Sequence, residues 1–286
     1  MRALDSTERG DWLLARAGAW ATVGGVAGDG FDAYARILHP LQAWHGDDVE
    51  ETARWCWAEV ARRNGRTMHP LVQWNSLTDF EKRLEFDDGW RVGQSEEGQL
   101  AVDLLAALAE HLGRATRSPD ETTAAIWNGW GELHPDSMGI IVLLSDDTLE
   151  SDRAHLEAEA RKRKLDEMRA TVTSEVAAIV DSGPLFAWPG REMLLLQTSL
   201  AELSDLDWPE AGGVAGVMPQ MLWPADRSWV VASEIDWDST IVAGSRALID
   251  AVLADERFES FEVQAVSDLS WDGDTVNPRP RERMDP

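Results

Sequence analysis

Fifteen tryptophans stand in this chain of 286 residues, beside one tyrosine and six phenylalanines. A buried indole removes on the order of 200 Å² from water, and its N–H then needs an acceptor. So many rings demand either a large core or a surface that uses them. Hydrophobic residues make up 44% of the chain, which supplies such a core and excludes wholesale disorder. The length suits two modest domains or one large one. Two uses of the rings stay open: large aromatics of the core, or the lining of a ligand cleft or partner surface.

Charge narrows the class. The chain has 52 acidic residues against 26 basic ones, a formal net charge of −26. Nucleic acid and anionic membrane both call for clustered positive charge, so neither is an expected partner. A basic protein partner, a small cationic ligand or a divalent cation fits better. The single cysteine, Cys56, leaves no intramolecular disulfide and no cysteine zinc cluster. With a polar Met1–Gly10 and no stretch of about 18 uncharged apolar residues, a cytoplasmic setting is expected. No oligomeric state follows from the sequence.

Patterning predicts an α+β chain, with α/β as the alternative. A mainly helical N-terminal part packs on a small mixed sheet with helices in the C-terminal half. The division is 1–181, helix-rich with one buried strand and a long charged helix; 182–271, mixed; and 272–286, a loose tail. Helices are expected around Trp12–Trp20, from Asp48-Val49-Glu50-Glu51 to Asn64-Gly65 with Cys56 in mid-helix, from Ser95 to Gly113, and after Ser118-Pro119. The apolar run Gly139–Leu144 reads as a buried strand, followed by a charged helix from about Thr148 to Val180 that Ser182-Gly183-Pro184 ends. Met193–Leu196, Trp229–Ile235 and Phe261–Val266 read as strands, and Arg246–Leu253 as a helix. His-Pro-Leu-x-x-Trp occurs twice, at His39 and His69, and reads as two similar helix entries.

Most catalytic templates fail. There is no Gly-x-Ser-x-Gly elbow, no His-Glu-x-x-His, and no Gly-Lys-Ser/Thr after the Gly24–Gly30 segment. The best chemical signal is Ser233-Glu234-Ile235-Asp236-Trp237-Asp238. If extended, it sets Glu234, Asp236 and Asp238 on one face, with Ile235 and Trp237 on the other. Three such charges repel unless water, an arginine, a basic partner or a hard cation such as Mg²⁺ or Ca²⁺ holds them. The second signal is Ile126-Trp127-Asn128-Gly129-Trp130-Gly131. Its glycines suggest a close backbone turn that fixes the Trp127 and Trp130 rings, as interface core or as a stacking site.

Two resemblances bear on these residues. Asp236-Trp237-Asp238-Ser239-Thr240 is similar to the Asp-x-Asp-x-Thr loop of haloacid-dehalogenase-type phosphatases, which would make Asp236 a nucleophile and Asp238 an acid/base. That family also needs a downstream lysine, and the chain has none after Lys164. Phe31–Arg36, Ala125–Gly131, Leu222–Asp236 and Val242–Ser245 resemble segments of an uncharacterised family of hypothetical proteins of high-GC Gram-positive bacteria. That resemblance implies one co-evolving unit in a bacterial cytoplasm and transfers no catalytic residue. The expectation is therefore a non-enzymatic, acidic, tryptophan-rich binding protein for a basic partner or small ligand, using Trp127, Trp130, Glu234, Asp236 and Asp238. The alternative is a metal-assisted hydrolase that uses the three carboxylates as ligands.

Overall fold

The computed structural model describes residues 1–46, 52–135 and 150–277. The expected strand at Gly139–Leu144 and the capping segment Asp48–Glu51 lie outside the described residues. The N-terminal strands are β1 (Arg2–Ala3), β2 (Ala33–Leu38), β3 (Leu41–His45), β4 (Thr52–Trp55), β5 (Arg83–Glu85), β6 (Trp90–Gly93) and β7 (Thr122–Trp127). Further along come β8 (Phe186–Trp188), β9 (Arg191–Thr198), β10 (Met221–Pro224), β11 (Val230–Ser233), β12 (Ser239–Gly244) and β13 (Ser260–Val263).

These strands overturn the expected helical N-terminal part. Nine of them form one antiparallel sheet in the order β1-β9-β7-β10-β11-β12-β2-β13, with β8 also paired to β9, and β4-β3-β6-β5 form a second. The small mixed sheet expected for the C-terminal half is instead the larger, wholly antiparallel one. Strands from before and after residue 182 alternate in it: β7 lies between β9 and β10, and β2 between β12 and β13. Ser118-Pro119-Asp120-Glu121 does not open a helix. It is a turn, with Glu121 N–H bonded to the Ser118 carbonyl at 3.1 Å, that leads into β7.

Both faces of the large sheet are covered, and residue alternation assigns each side. Ala35, Ile37, Ile126, Leu194, Val231 and Val242 face the helices Val102–Arg114, Ser174–Ser182 and Arg246–Leu253. Tyr34, Ala125, Leu195, Trp223, Ala232 and Ile241 face the opposite way, toward Leu13, Val26, Phe186 and Leu269. A strand covered on both sides reads as a continuous apolar run rather than an alternating one. Every residue of β2 and of β12 is buried.

His39-Pro40 is the corner at which the chain leaves the large sheet in β2 and enters the small one in β3. The two His-Pro-Leu-x-x-Trp segments therefore differ. The first enters a strand, and the second precedes a short helix, Trp74–Thr78. The small sheet packs Leu41, Ala43 and Val92 against Trp57, Val60, Trp74 and Leu77. Cys56 is exposed and precedes the helix Trp57–Arg63 rather than lying within it. The charged helix is two helices, Glu150–Ala170 and Ser174–Ser182, the second capped by Thr173 Oγ1, which accepts from Val176 N–H at 3.3 Å. Among the described residues no helix is long and apolar enough to cross a membrane.

Candidate functional site

Four of the five residues singled out in the sequence gather around a sixth side chain, Arg191. The β8–β9 hairpin turns at Pro189-Gly190, where Gly190 has φ +80°, and places Arg191 at the start of β9. Its Nε donates to Glu234 Oε1 at 3.0 Å, and its Nη2 to Asp236 Oδ2 at 2.7 Å. The guanidinium carbon lies 5.8 Å from the centroid of the Trp127 ring, and Trp130 meets Trp127 edge-on at 5.8 Å and 76°. Gly129 is required beside them, because a Cβ there would sit 2.1 Å from the Trp127 ring. Glu234 and Asp236 reach one guanidinium because residues 234–237 form a turn rather than a strand, with Trp237 N–H bonded to the Glu234 carbonyl at 3.1 Å. Burial keeps the Glu234 carboxyl above its usual range, against the pull of Arg191.

Asp238 is not part of this group. Its side chain is buried and lies 3.4 Å from Nη2 of Arg36, a residue of β2 that is 1% exposed. Arg36 also donates from Nε to Ser239 Oγ at 2.9 Å and from Nη1 to the carbonyls of Pro70 and Val72 at 3.2 and 2.8 Å. Burial pushes Asp238 up and Arg36 down, and the attraction between them opposes both shifts. The arrangement ties the large sheet to the segment before Trp74. The extended stretch that would have aligned Glu234, Asp236 and Asp238 is thus absent. Two are paired with Arg191 and one with Arg36, so Asp236 and Asp238 do not share a loop face as a nucleophile and its acid/base would. Among the described residues no group of three or more His, Cys, Asp or Glu side chains is placed to hold a metal ion.

Next to Arg36 runs a second buried polar chain. His39 Nδ1 lies 2.7 Å from the Glu96 carbonyl, and Nε2 lies 2.8 Å from Thr240 Oγ1, which is 2.7 Å from Ser233 Oγ. A carbonyl can only accept, so Nδ1 carries the ring proton, Thr240 donates to Nε2, and Ser233 donates to Thr240. Burial, with Arg36 adding to it, lowers His39 from 6.5 to about 4. The unfolded chain binds a proton below pH 6.5 that the folded ring refuses. The stabilisation is complete above that pH and is lost as pH falls through about 4. The loss should reach about 3 kcal/mol. Urea unfolding across this range should show a steeper acid slope for the native chain than for His39→Gln. Parallel profiles would contradict the assignment.

A surface feature that the sequence reading missed adjoins the Arg191 cluster. Trp20 is 84% exposed, Trp271 71% and Val266 80%. The two segments that carry them are zipped together by Leu269 N–H to Ala21 C=O at 2.8 Å, Val23 N–H to Ser267 C=O at 3.1 Å, and Gly24 N–H to Ala265 C=O at 2.8 Å. At Gly24 the segments approach closely: a Cβ would meet the Ala265 carbonyl oxygen at 3.3 Å and would displace the Asp29 carboxylate. A small hollow connects the patch to the cluster, bordered by Trp20, Val26, Arg191, Glu234, Asp236 and Trp237. Asp236 stands exposed at its edge, and Asp268 and Asp272 are exposed on the segment that carries Val266 and Trp271. One signal pointed here: Arg191 is the sole basic residue between Arg169 and Arg227, in an acidic stretch. The exposure of Trp20 and Trp271 had none, because most of the other indoles are buried or half-buried.

Comparison with known proteins finds no match for this chain among family models, curated proteins or solved structures.

Proposed function

We propose that the protein is a non-enzymatic binding protein that docks a basic protein partner on its acidic, tryptophan-bearing face. The observation that carries this reading is the pair of exposed indoles, Trp20 and Trp271, held on one zipped surface beside Asp236, Asp268 and Asp272. Leaving two indoles in water forgoes their burial, and tryptophan is the residue type most enriched at the energetic centres of interfaces. The carboxylates around them, on a chain of net charge −26, steer a cationic surface toward the rings and raise the association rate. The neighbouring Arg191 supports the reading: the chain's own guanidinium is shared by Glu234 and Asp236 over the Trp127 ring, with carboxylates beside it and an indole beneath it. The partner's arginines would meet the same combination at Asp236 and Trp20.

Calorimetric titration with an arginine-rich peptide interspersed with leucines tests the reading. The native chain should bind it, more weakly as salt rises. Trp20→Ala/Trp271→Ala should weaken binding by at least about tenfold while leaving the melting point nearly unchanged, since both rings are exposed. Equal binding by the double variant would refute this face.

A further inference from the structure

The two sheets do not meet flush. Between β4 of the small sheet and the helix Val102–Arg114 on the large one lie two hollows of about 780 and 490 Å³. They share Pro40, Arg54, Asp103 and Leu206, so they are two chambers of one cleft, divided where Arg54 Nη1 reaches across to Asp103 Oδ2 at 2.5 Å. Both partners of this bridge are about half exposed, so water screens their attraction and parting them costs little. The larger chamber is walled by Leu38, Trp55, Leu104, Ala107 and Phe258, with Leu206 half exposed at its rim. A concave, mainly apolar chamber of this size with a few polar groups is the usual form of a small-molecule site.

The charges of the lining choose the ligand. Asp103, Glu110, Glu256 and Glu259 face the larger chamber against Arg54 and Arg257. Both arginines are already engaged: Arg54 with Asp103, and Arg257 with Asp255 at 2.7 Å and Glu110 at 3.0 Å. Glu259 accepts the backbone N–H groups of Trp57 and Ala58 at 2.5 and 2.8 Å, so it caps the start of a helix. Two carboxylates share Arg257 and Glu259 has only backbone donors, so the chamber keeps a net negative charge, and exposed Glu256 presents it at the edge of the apolar floor.

We propose that this cleft binds an elongated aliphatic cation, a hydrocarbon chain carrying an ammonium group. The chain lies on Leu104, Ala107 and Phe258 beneath Leu206, and the ammonium stands beside Glu256. Parting the Arg54–Asp103 bridge lets a longer chain run on into the smaller chamber. This site is separate from the face that carries Trp20 and Trp271.

The test is calorimetric titration of the native chain with decyltrimethylammonium below its micelle concentration, with decanoate and decanol as comparisons. The cation should bind at least about tenfold tighter than decanoate. Ala106→Trp, which places a ring in the chamber from a half-buried helix position, should weaken it by at least about tenfold. Glu256→Gln should weaken it by about threefold. Should Ala106→Trp lower the melting point, Leu206→Asn at the exposed rim carries the same comparison. Trp20→Ala/Trp271→Ala should leave the affinity unchanged. Unaltered binding in the chamber variants, decanoate binding as tightly as the cation, or loss of binding in the tryptophan double variant would each overturn the assignment.

Discussion

Arg36→Met should destabilise the protein by about 3–5 kcal/mol, read as a fall in the urea midpoint with little change in slope. The side chain is buried to 1% exposure and makes hydrogen bonds to Ser239 Oγ, the carbonyls of Pro70 and Val72, and Asp238. Methionine fills similar volume but supplies neither charge nor donors. The variant therefore leaves a buried carboxylate with no counter-charge, and carbonyls that have lost a donor. Most of the loss comes from the stranded Asp238 rather than from the net worth of the pair. Arg36→Met/Asp238→Leu should accordingly recover much of it, because a buried ion pair often gives way to an apolar one at little cost. If the double variant is as unstable as the single one, the carbonyl contacts dominate instead.

Trp57→Ala should cost about 3–5 kcal/mol and lower the melting temperature by roughly 10 °C. Trp57 is fully buried in the small-sheet core, edge-on to Trp74 with ring centroids 5.8 Å apart, and its Nε1 donates to the His39 carbonyl at 2.9 Å. Removing it opens a cavity and orphans that carbonyl at the corner joining the sheets. Trp20→Ala, at 84% exposure, should stay within about 1 kcal/mol of the native chain by the same melt. The contrast divides the tryptophans by use. Trp57, Trp208, Trp223 and Trp229 serve the core, while Trp20 and Trp271 serve a surface. A small effect at Trp57 would remove that division.

The sequence by itself determined the features that a few neighbouring residues can build. Asn64-Gly65 ends the helix Trp57–Arg63, with Gly65 at φ +64°. Ser182-Gly183 ends the helix that begins at Ser174. Ser245 caps Arg246–Leu253 by accepting from Leu248 N–H at 3.3 Å. The strand Arg191–Thr198 covers the run Met193–Leu196, Val230–Ser233 falls within Trp229–Ile235, and Ser260–Val263 overlaps the first half of Phe261–Val266. Asn128-Gly129 turns closely against the Trp127 ring, as its glycine suggested.

Tertiary structure alone decided the rest. β2, Ala-Tyr-Ala-Arg-Ile-Leu, and β7, Thr-Thr-Ala-Ala-Ile-Trp, have no local pattern that distinguishes a strand from a helix. β2 is extended because β12 and β13 pair with it from about 200 residues away, and both faces of the sheet are then covered. The acidic stretch after β11 shows the same dependence at the level of charge. Asp238 finds its counter-charge 202 residues away at Arg36, whereas Glu234 and Asp236 find theirs 43 and 45 residues away at Arg191. Spacing along the chain could show that these carboxylates repel one another. Only the fold could supply the arginines that separate them into a buried tie and an exposed face, because a counter-charge must be close in space and need not be close in sequence.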